Sequence, residues 1–306
     1  MTDSSRERLD DLLVSFRRDL RASDKAPRTI KLYAETVDRF AARLAGRDRE
    51  PILAEFTKAA ISAHLGEMLD ADPPLSASTV AMHYRGLKRF SRWAVAEDYL
   101  SADPMVGLEK PKPKEKPVPV LTDADLERLV QATSGTRFED RRDLAMIRLL
   151  LDCGLRISEL ASLRVADVDL KVFDAVRVTG KGGKTRAVPF GAKTGKALER
   201  YLRERRAHKS ADTTDALWLG QRGPMGAWGV DERLKVRAAQ AGVENLHAHR
   251  FRHTFAADFL ANGGQERDLM RLAGWSSDAM LQVYGRATAD QRAQDAHRRM
   301  RRGDRV

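Results

Sequence analysis

The stretch "AHRFRHTFAADFLANGG", residues 248 to 264, decides how this chain is read. Taken as a helix ending near Gly263, it sets Phe251, Phe255 and Phe259 four apart on one buried stripe, and places His249 and Arg252, three apart, together on a different face. With His247 just ahead, three histidines and two arginines fall between residues 247 and 255. A guanidinium offers a rigid donor fork to two phosphate oxygens, and an imidazole beside it can give or take a proton near neutral pH. The rival reading is a metal site, because His249 and His253 have the four-residue spacing of a helical zinc pair. No Glu follows the first histidine, and Cys153 is the only thiol in the chain, so phosphate chemistry is favoured over metal. His253 is the candidate for a purely structural histidine.

Working outward, Asp123 to Ala132 predicts a helix, and "EDRRDLAMIRLLLDCG" predicts another that ends at Gly154. "LRISELASL" then starts a short helix at once. The runs "VFDAVRV" and "TRAVPF", separated by "TGKGGK", predict a β-hairpin whose Gly-rich tip presents Lys181 and Lys184. One further extended stretch falls at "ALWLG" in an otherwise helical remainder. This half is expected to be an α+β domain, mainly α with a small hairpin or sheet.

Upstream the pattern is all helical. "TIKLYAETVDRFAARLA" carries Leu32, Tyr33, Val37, Phe40 and Leu44 at helical spacing, and "SASTVAMHYRGLKRFSRWAVAEDYL" carries Val80, Tyr84, Leu87 and Trp93 behind serine N-cap candidates. These aromatics read as core. Between the halves, "LEKPKPKEKPVPV" at 108 to 120 holds four prolines and four lysines and has little to bury, which marks an extended connector. The expected organisation is therefore residues 1–110 as a helical domain, 111–119 as a Pro/Lys linker and 120–306 as a second domain.

Composition excludes several classes. At 306 residues and 42% hydrophobic content the chain suits two domains with a core each. No apolar run approaches the ~18 residues that span a bilayer, and the start "MTDSSRERLD" is too polar and acidic for a signal peptide. With one cysteine and so no internal disulfide, the expected setting is the cytoplasm. The formal net charge is +11. It is unevenly spread: residues 1–110 hold 18 Lys+Arg against 18 Asp+Glu, whereas residues 120–306 hold 34 against 25. Such a bias in the second half favours a polyanionic partner over a merely solvated basic surface.

Five motifs in order carry a resemblance: "CGLRISEL" at 153–160, "GKGGKTRAVP" at 180–189, "HRFRHTFA" at 249–256, "LAGWSS" at 272–277, and Tyr284 nine residues after Trp275. Together they resemble the tyrosine recombinase (phage integrase) family, of the simple two-domain integrase or Xer-like type. Residues 26–110 are similar to the family's helical core-binding domain, the DNA clamp, including "DPMVGLEKPK" where relatives often carry Asn before the proline.

The resemblance implies a site-specific DNA recombinase that cuts and rejoins DNA through a 3′-phosphotyrosyl intermediate and a Holliday junction, for integration, excision or resolution. It assigns Tyr284 as nucleophile, Arg156 and Arg252 as clamps on the scissile phosphate, Lys181 as the acid that protonates the leaving 5′ oxygen, and His249 as general acid/base. Glu159 matches the carboxylate that supports the first arginine, and Lys184 and Arg186 are candidates for contacts to the DNA backbone. Trp275 stands where histidine is commoner; its indole N–H can donate to a phosphate oxygen but cannot transfer a proton, and a core role for the ring stays open. Because the phosphotyrosyl bond conserves energy for religation, no cofactor and no metal are implied.

The implied partners are double-stranded DNA and further copies of the chain, as a homotetramer on two DNA sites or a hetero-tetramer with a paralogue, away from any membrane. The tail "RATADQRAQDAHRRMRRGDRV" has a thin stripe of Ala287, Ala289, Ala293, Ala296 and Met300, which suits a helix docking on a neighbouring protomer; phosphate contacts by its arginines are the alternative. Two other readings stay open: a catalytically silent DNA-binding regulator on the same scaffold, and a type IB topoisomerase, which shares the chemistry.

Overall fold

The computed structural model describes residues 6–112, 120–180 and 183–277, together with Leu281, Gln294, His297, Arg298 and Gly303. The chain separates into two compact units, Met1–Lys116 and Pro117–Val306. Most of the Pro/Lys connector, residues 113–119, lies outside the described residues, as do Lys181, Tyr284 and nearly all of the tail.

The first unit is built from α1 (Leu9–Ala22), α2 (Pro27–Ala45), α3 (Lys58–Asp70) and α4 (Ala77–Ala96). The predicted α2 and α4 are present; α1 and α3 are additions to the sequence reading. Pro27 starts α2, where its missing N–H costs nothing. Thr57 and Ser76 cap α3 and α4 by accepting from the N–H of Ala60 (3.3 Å) and Thr79 (3.2 Å). The core is aromatic: Phe16 meets Phe90 edge-on at 5.3 Å, and Phe90 meets Phe56 at 5.2 Å, with Trp93 and Phe40 buried beside them. The aromatics of the sequence patterns are packing residues here.

In the second unit the Thr122 capping box starts α5 (Asp123–Gln131). The central element is α6 (Phe138–Cys153), whose Ala145, Met146, Ile147, Leu149, Leu150 and Cys153 are fully buried; it packs against α8 (Ala192–Arg206) and α10 (Ala248–Ala261). Gly154 ends α6 with φ +56°, and a Cβ there would lie 2.3 Å from the Phe255 ring, so both the left-handed turn and the approach of α10 require glycine.

After the short α7 (Ile157–Ala161) comes an antiparallel sheet in the order β1 (Val168–Asp169), β2 (Ala175–Thr179), β3 (Thr185–Pro189). The β2–β3 hairpin is the expected one, with Thr179 opposite Thr185 at its tip. It begins later than "VFDAVRV" suggests because Val172 and Phe173 sit in the preceding turn, where Asp169 Oδ1 accepts from the N–H of Lys171 and of Val172. The extended "ALWLG" becomes β4 (Leu219–Gly220), paired with β5 (Gly223–Pro224). Then follow α9 (Ala227–Ala241), α10 and α11 (Glu266–Ala273). Phe251 of α10 belongs to the main core around α6, whereas Phe255 and Phe259 are half-buried against a smaller cluster shared with α11.

Candidate active site

Arg156 is the residue before α7, so its backbone N–H belongs to the uncapped first turn of that helix; it donates to Glu159 Oε2 at 2.9 Å. The same carboxylate takes Arg156 Nη1 on Oε1 at 2.8 Å. Arg186, from β3, completes the group by donating Nη1 to Oε1 (3.1 Å) and Nη2 to Oε2 (2.9 Å). Glu159 is buried. Burial by itself would raise its pKa, but the hydrogen bonds and charges of Arg186 and Arg156 outweigh it and hold the carboxyl below the usual range.

The second arginine lies deeper. Arg252 is buried, donates Nη1 to the Gly154 carbonyl (2.7 Å) and Nη2 to the Ala273 carbonyl (2.6 Å), and places its guanidinium 5.3 Å from the centre of the Trp275 ring. Spacing along α10 predicts that His249 and Arg252 share a face, yet His249 is exposed while Arg252 is not.

Three successive carbonyls at the end of α11 each receive a different guanidinium. Leu272 O accepts Arg186 Nε at 2.7 Å, Ala273 O accepts Arg252 Nη2, and Gly274 O accepts Arg156 Nη2 at 3.2 Å. The last carbonyls of a helix have no intrahelical partner and form its negative end, which makes them natural acceptors for cations. Gly274 turns the chain there with φ +64°, and a Cβ on it would come within 2.9 Å of Arg186 Nη1. Elements distant in sequence thus converge on one helix end.

Although much of His249 faces solvent, partial desolvation of its ring and then the positive charges of Arg252, His247 and Arg156 lower its pKa below 6.5, which favours the neutral imidazole at pH 7. His253 is half-buried, and burial followed by its histidine neighbours brings it to about 4. The two rings lie 6.0 Å apart. Among the described residues no group of three or more His, Cys, Asp or Glu side chains could hold a metal ion.

The structure therefore brings Arg156, Glu159, Arg252, His249 and Trp275 into one neighbourhood. Lys184 is exposed on the hairpin, where its carbonyl accepts the Gly180 N–H at 2.8 Å; Lys181 and Tyr284 lie outside the described residues. Arg186 differs from its sequence reading as a backbone contact: Nε, Nη1 and Nη2 all donate inward, and the side chain is only 14% exposed. The carbonyls of residues 272–274 and of Gly154 were invisible to the sequence reading, since a backbone acceptor leaves no side-chain signature beyond the glycines that let it be approached.

Comparison with known proteins agrees with this architecture. Residues 119–291 match the phage integrase family, and residues 12–100 match the phage integrase N-terminal SAM-like domain. Tyrosine recombinase XerC of Corynebacterium efficiens is 36% identical over 236 residues, covering 76% of this chain and 74% of the relative. Tyrosine recombinase XerC of Oceanobacillus iheyensis is 32% identical over 87% of each. Among solved structures, XerA recombinase is 26% identical with a TM-score of 0.53, covering 96% of this chain and 99% of that one. A XerH recombinase bound to its difH substrate after cleavage reaches a TM-score of 0.72 at 19% identity, over 88% of this chain and 78% of that one. A lambda integrase tetramer bound to a Holliday junction reaches 0.70 at 17%, over 90% and 80%. The chain belongs to the phage integrase family, the tyrosine recombinases.

Proposed function

We propose that this tyrosine-type site-specific recombinase cuts and rejoins duplex DNA, with Arg156 and Arg252 gripping the scissile phosphate and Tyr284 attacking it. The observation that carries the reading is the anchoring of both guanidiniums on adjacent carbonyls, Gly274 and Ala273, which presets two cationic forks before any DNA arrives. A phosphodiester gains negative charge on the way to its transition state, so pre-placed donors stabilise that state most, at little reorganisation cost. Arg156 commits two of its five N–H donors, through Nη1 and Nη2, to Glu159 and Gly274, and its side chain is 37% exposed, so the rest of the fork can meet an anion.

In this reading His249, held neutral, accepts the tyrosine proton, which a phenol with a pKa of ~10 does not release unaided. Lys181 protonates the leaving 5′ oxygen. Trp275 backs the Arg252 guanidinium with its ring, and its indole N–H is a donor that a phosphate oxygen could accept. Lys184 meets the DNA backbone. Residues 1–110 act as the core-binding domain, joined through 111–119 to the catalytic domain, 120–306. Strand exchange takes place in a tetramer holding two DNA sites. The lambda integrase tetramer bound to a Holliday junction, which shares this fold, supports the assembly, and the XerH recombinase bound to its difH substrate after cleavage supports the cutting step. The XerC relatives, which are tyrosine recombinases, favour recombination over free supercoil relaxation.

A nicked suicide duplex carrying the recognition site tests the nucleophile. Wild-type protein should form a covalent adduct seen as a shifted band on a denaturing gel, and Tyr284→Phe should form none while still binding the duplex. An adduct with the Phe variant would redirect the assignment to Ser276 or Ser277.

A further inference from the structure

We propose that Arg186 is a positioning residue that occupies Glu159 and so keeps the Arg156 guanidinium available for the scissile phosphate; this rests on the reading of Arg156 as a phosphate clamp. The argument is one of competition for a single carboxylate. Glu159 is buried beside two guanidiniums, and a buried carboxylate takes the best-matched fork within reach. Arg186 fills that place: it reaches both oxygens, and its third nitrogen is tied to Leu272 O. The Arg156 guanidinium therefore meets Glu159 through one terminal nitrogen only, with its other terminal nitrogen turned to Gly274 O.

Charge follows the same division. Glu159 and Arg186 neutralise each other, and the positive charge of Arg156 is left for an anion. Without Arg186, Glu159 would have Arg156 as its partner, and the clamp would be spent inside the protein. Leaving the carboxylate buried without any partner is costly, which drives that capture. The bond from Arg186 to Leu272 O also explains how one residue of β3 can hold α7 in register with the end of α11.

The test uses the full-length protein, the suicide duplex and single-turnover rates of covalent adduct formation, with duplex affinity measured separately by gel shift. Arg186→Gln should slow cleavage on the order of 10- to 100-fold, the effect typical of removing groups that orient metal ligands, and should leave affinity nearly unchanged. The decisive variant is Arg186→Gln combined with Glu159→Gln. With the competing charge gone, Arg156 is released, and the double variant should cleave severalfold faster than Arg186→Gln alone. A double variant as slow as the single one, or slower, overturns the proposal, because an arginine that merely holds the fold together gains nothing from a second lesion. Arg186→Lys keeps the charge but loses the paired fork, so its rate should fall between those of wild type and Arg186→Gln; a rate below that of Gln also counts against the proposal. Arg156→Ala separates the two levels of inference. If Arg156→Ala cleaves normally, the clamp reading itself fails. If it is slow and the double variant does not recover, the clamp stands and the role of Arg186 falls.

Discussion

Two arginine–carboxylate clusters in the catalytic unit look alike in composition and differ in what they leave open. Under α9, Asp143 accepts from Arg142 on one oxygen and from Arg233 and Arg237 on the other, while Arg237 continues to Asp140, the Ala132 carbonyl and Gln240. Arg142 spends its remaining terminal nitrogen on the Leu219 carbonyl, and the side chains of Arg142 and Arg237 are 3% and 4% exposed. Around Glu159 the guanidiniums also outnumber the carboxylate, but Arg156 reaches solvent with part of its fork uncommitted. Excess positive charge is common to both. Access to that charge is what distinguishes a site from a strut.

The comparison can be broken at its closed end first. Asp143→Ala removes the partner of three guanidiniums, two of them buried, and should cost about 3–5 kcal/mol of folding stability, the loss expected when one side of a buried ion pair is deleted. Urea unfolding reads this directly, and an unchanged midpoint would show that the closed cluster is not a strut. At the open end the loss should appear in rate. Arg156→Ala should slow covalent cleavage by roughly 10²- to 10³-fold, the effect of removing one pre-organised donor, with little change in melting temperature. Arg252→Ala should show the same rate loss and in addition lose about 1–3 kcal/mol of stability, because it strips donors from the carbonyls of Gly154 and Ala273. Equal behaviour of the two variants in thermal melts would contradict the difference in their burial.

The smallest effect is in pH. His249 titrates below its ordinary 6.5, lowered by partial desolvation of its ring and then by Arg252, His247 and Arg156. A lowered pKa means that the neutral, proton-accepting form persists to more acidic pH and is lost only as pH falls through the shifted value. The single-turnover cleavage rate of wild-type protein should therefore hold as pH drops to 6.5 and decline below it. A decline centred above 6.5 would mean that desolvation and the neighbouring positive charges do not lower the pKa of this ring.

Much of this protein could be read from its residues. Periodicity identified α2, α4, α6 and α10, the glycine after Cys153 marked the end of α6, and the Gly-rich "TGKGGK" marked the hairpin, because repeat spacing and turn chemistry are local properties. Local signals weakened where context decides. α3 carries Ala59, Ala60, Ala63 and Gly66 between its larger apolar residues, which blurs its apolar face, and β1 is only two residues long, too short for an alternating pattern to register. Within α10, spacing put His249 and Arg252 on one face but was silent on depth, and burial differs because α6 and α11 cover only part of that face. The residues alone were thus enough to recognise the family, the mainly helical architecture with its small hairpin, and the residue types that stand ready for phosphate chemistry. The anchoring of the arginines comes from packing, as Arg186 shows. Its partners are a carboxylate on α7 and a carbonyl on α11, and contacts between elements so far apart in the chain arise from packing, which no local pattern encodes.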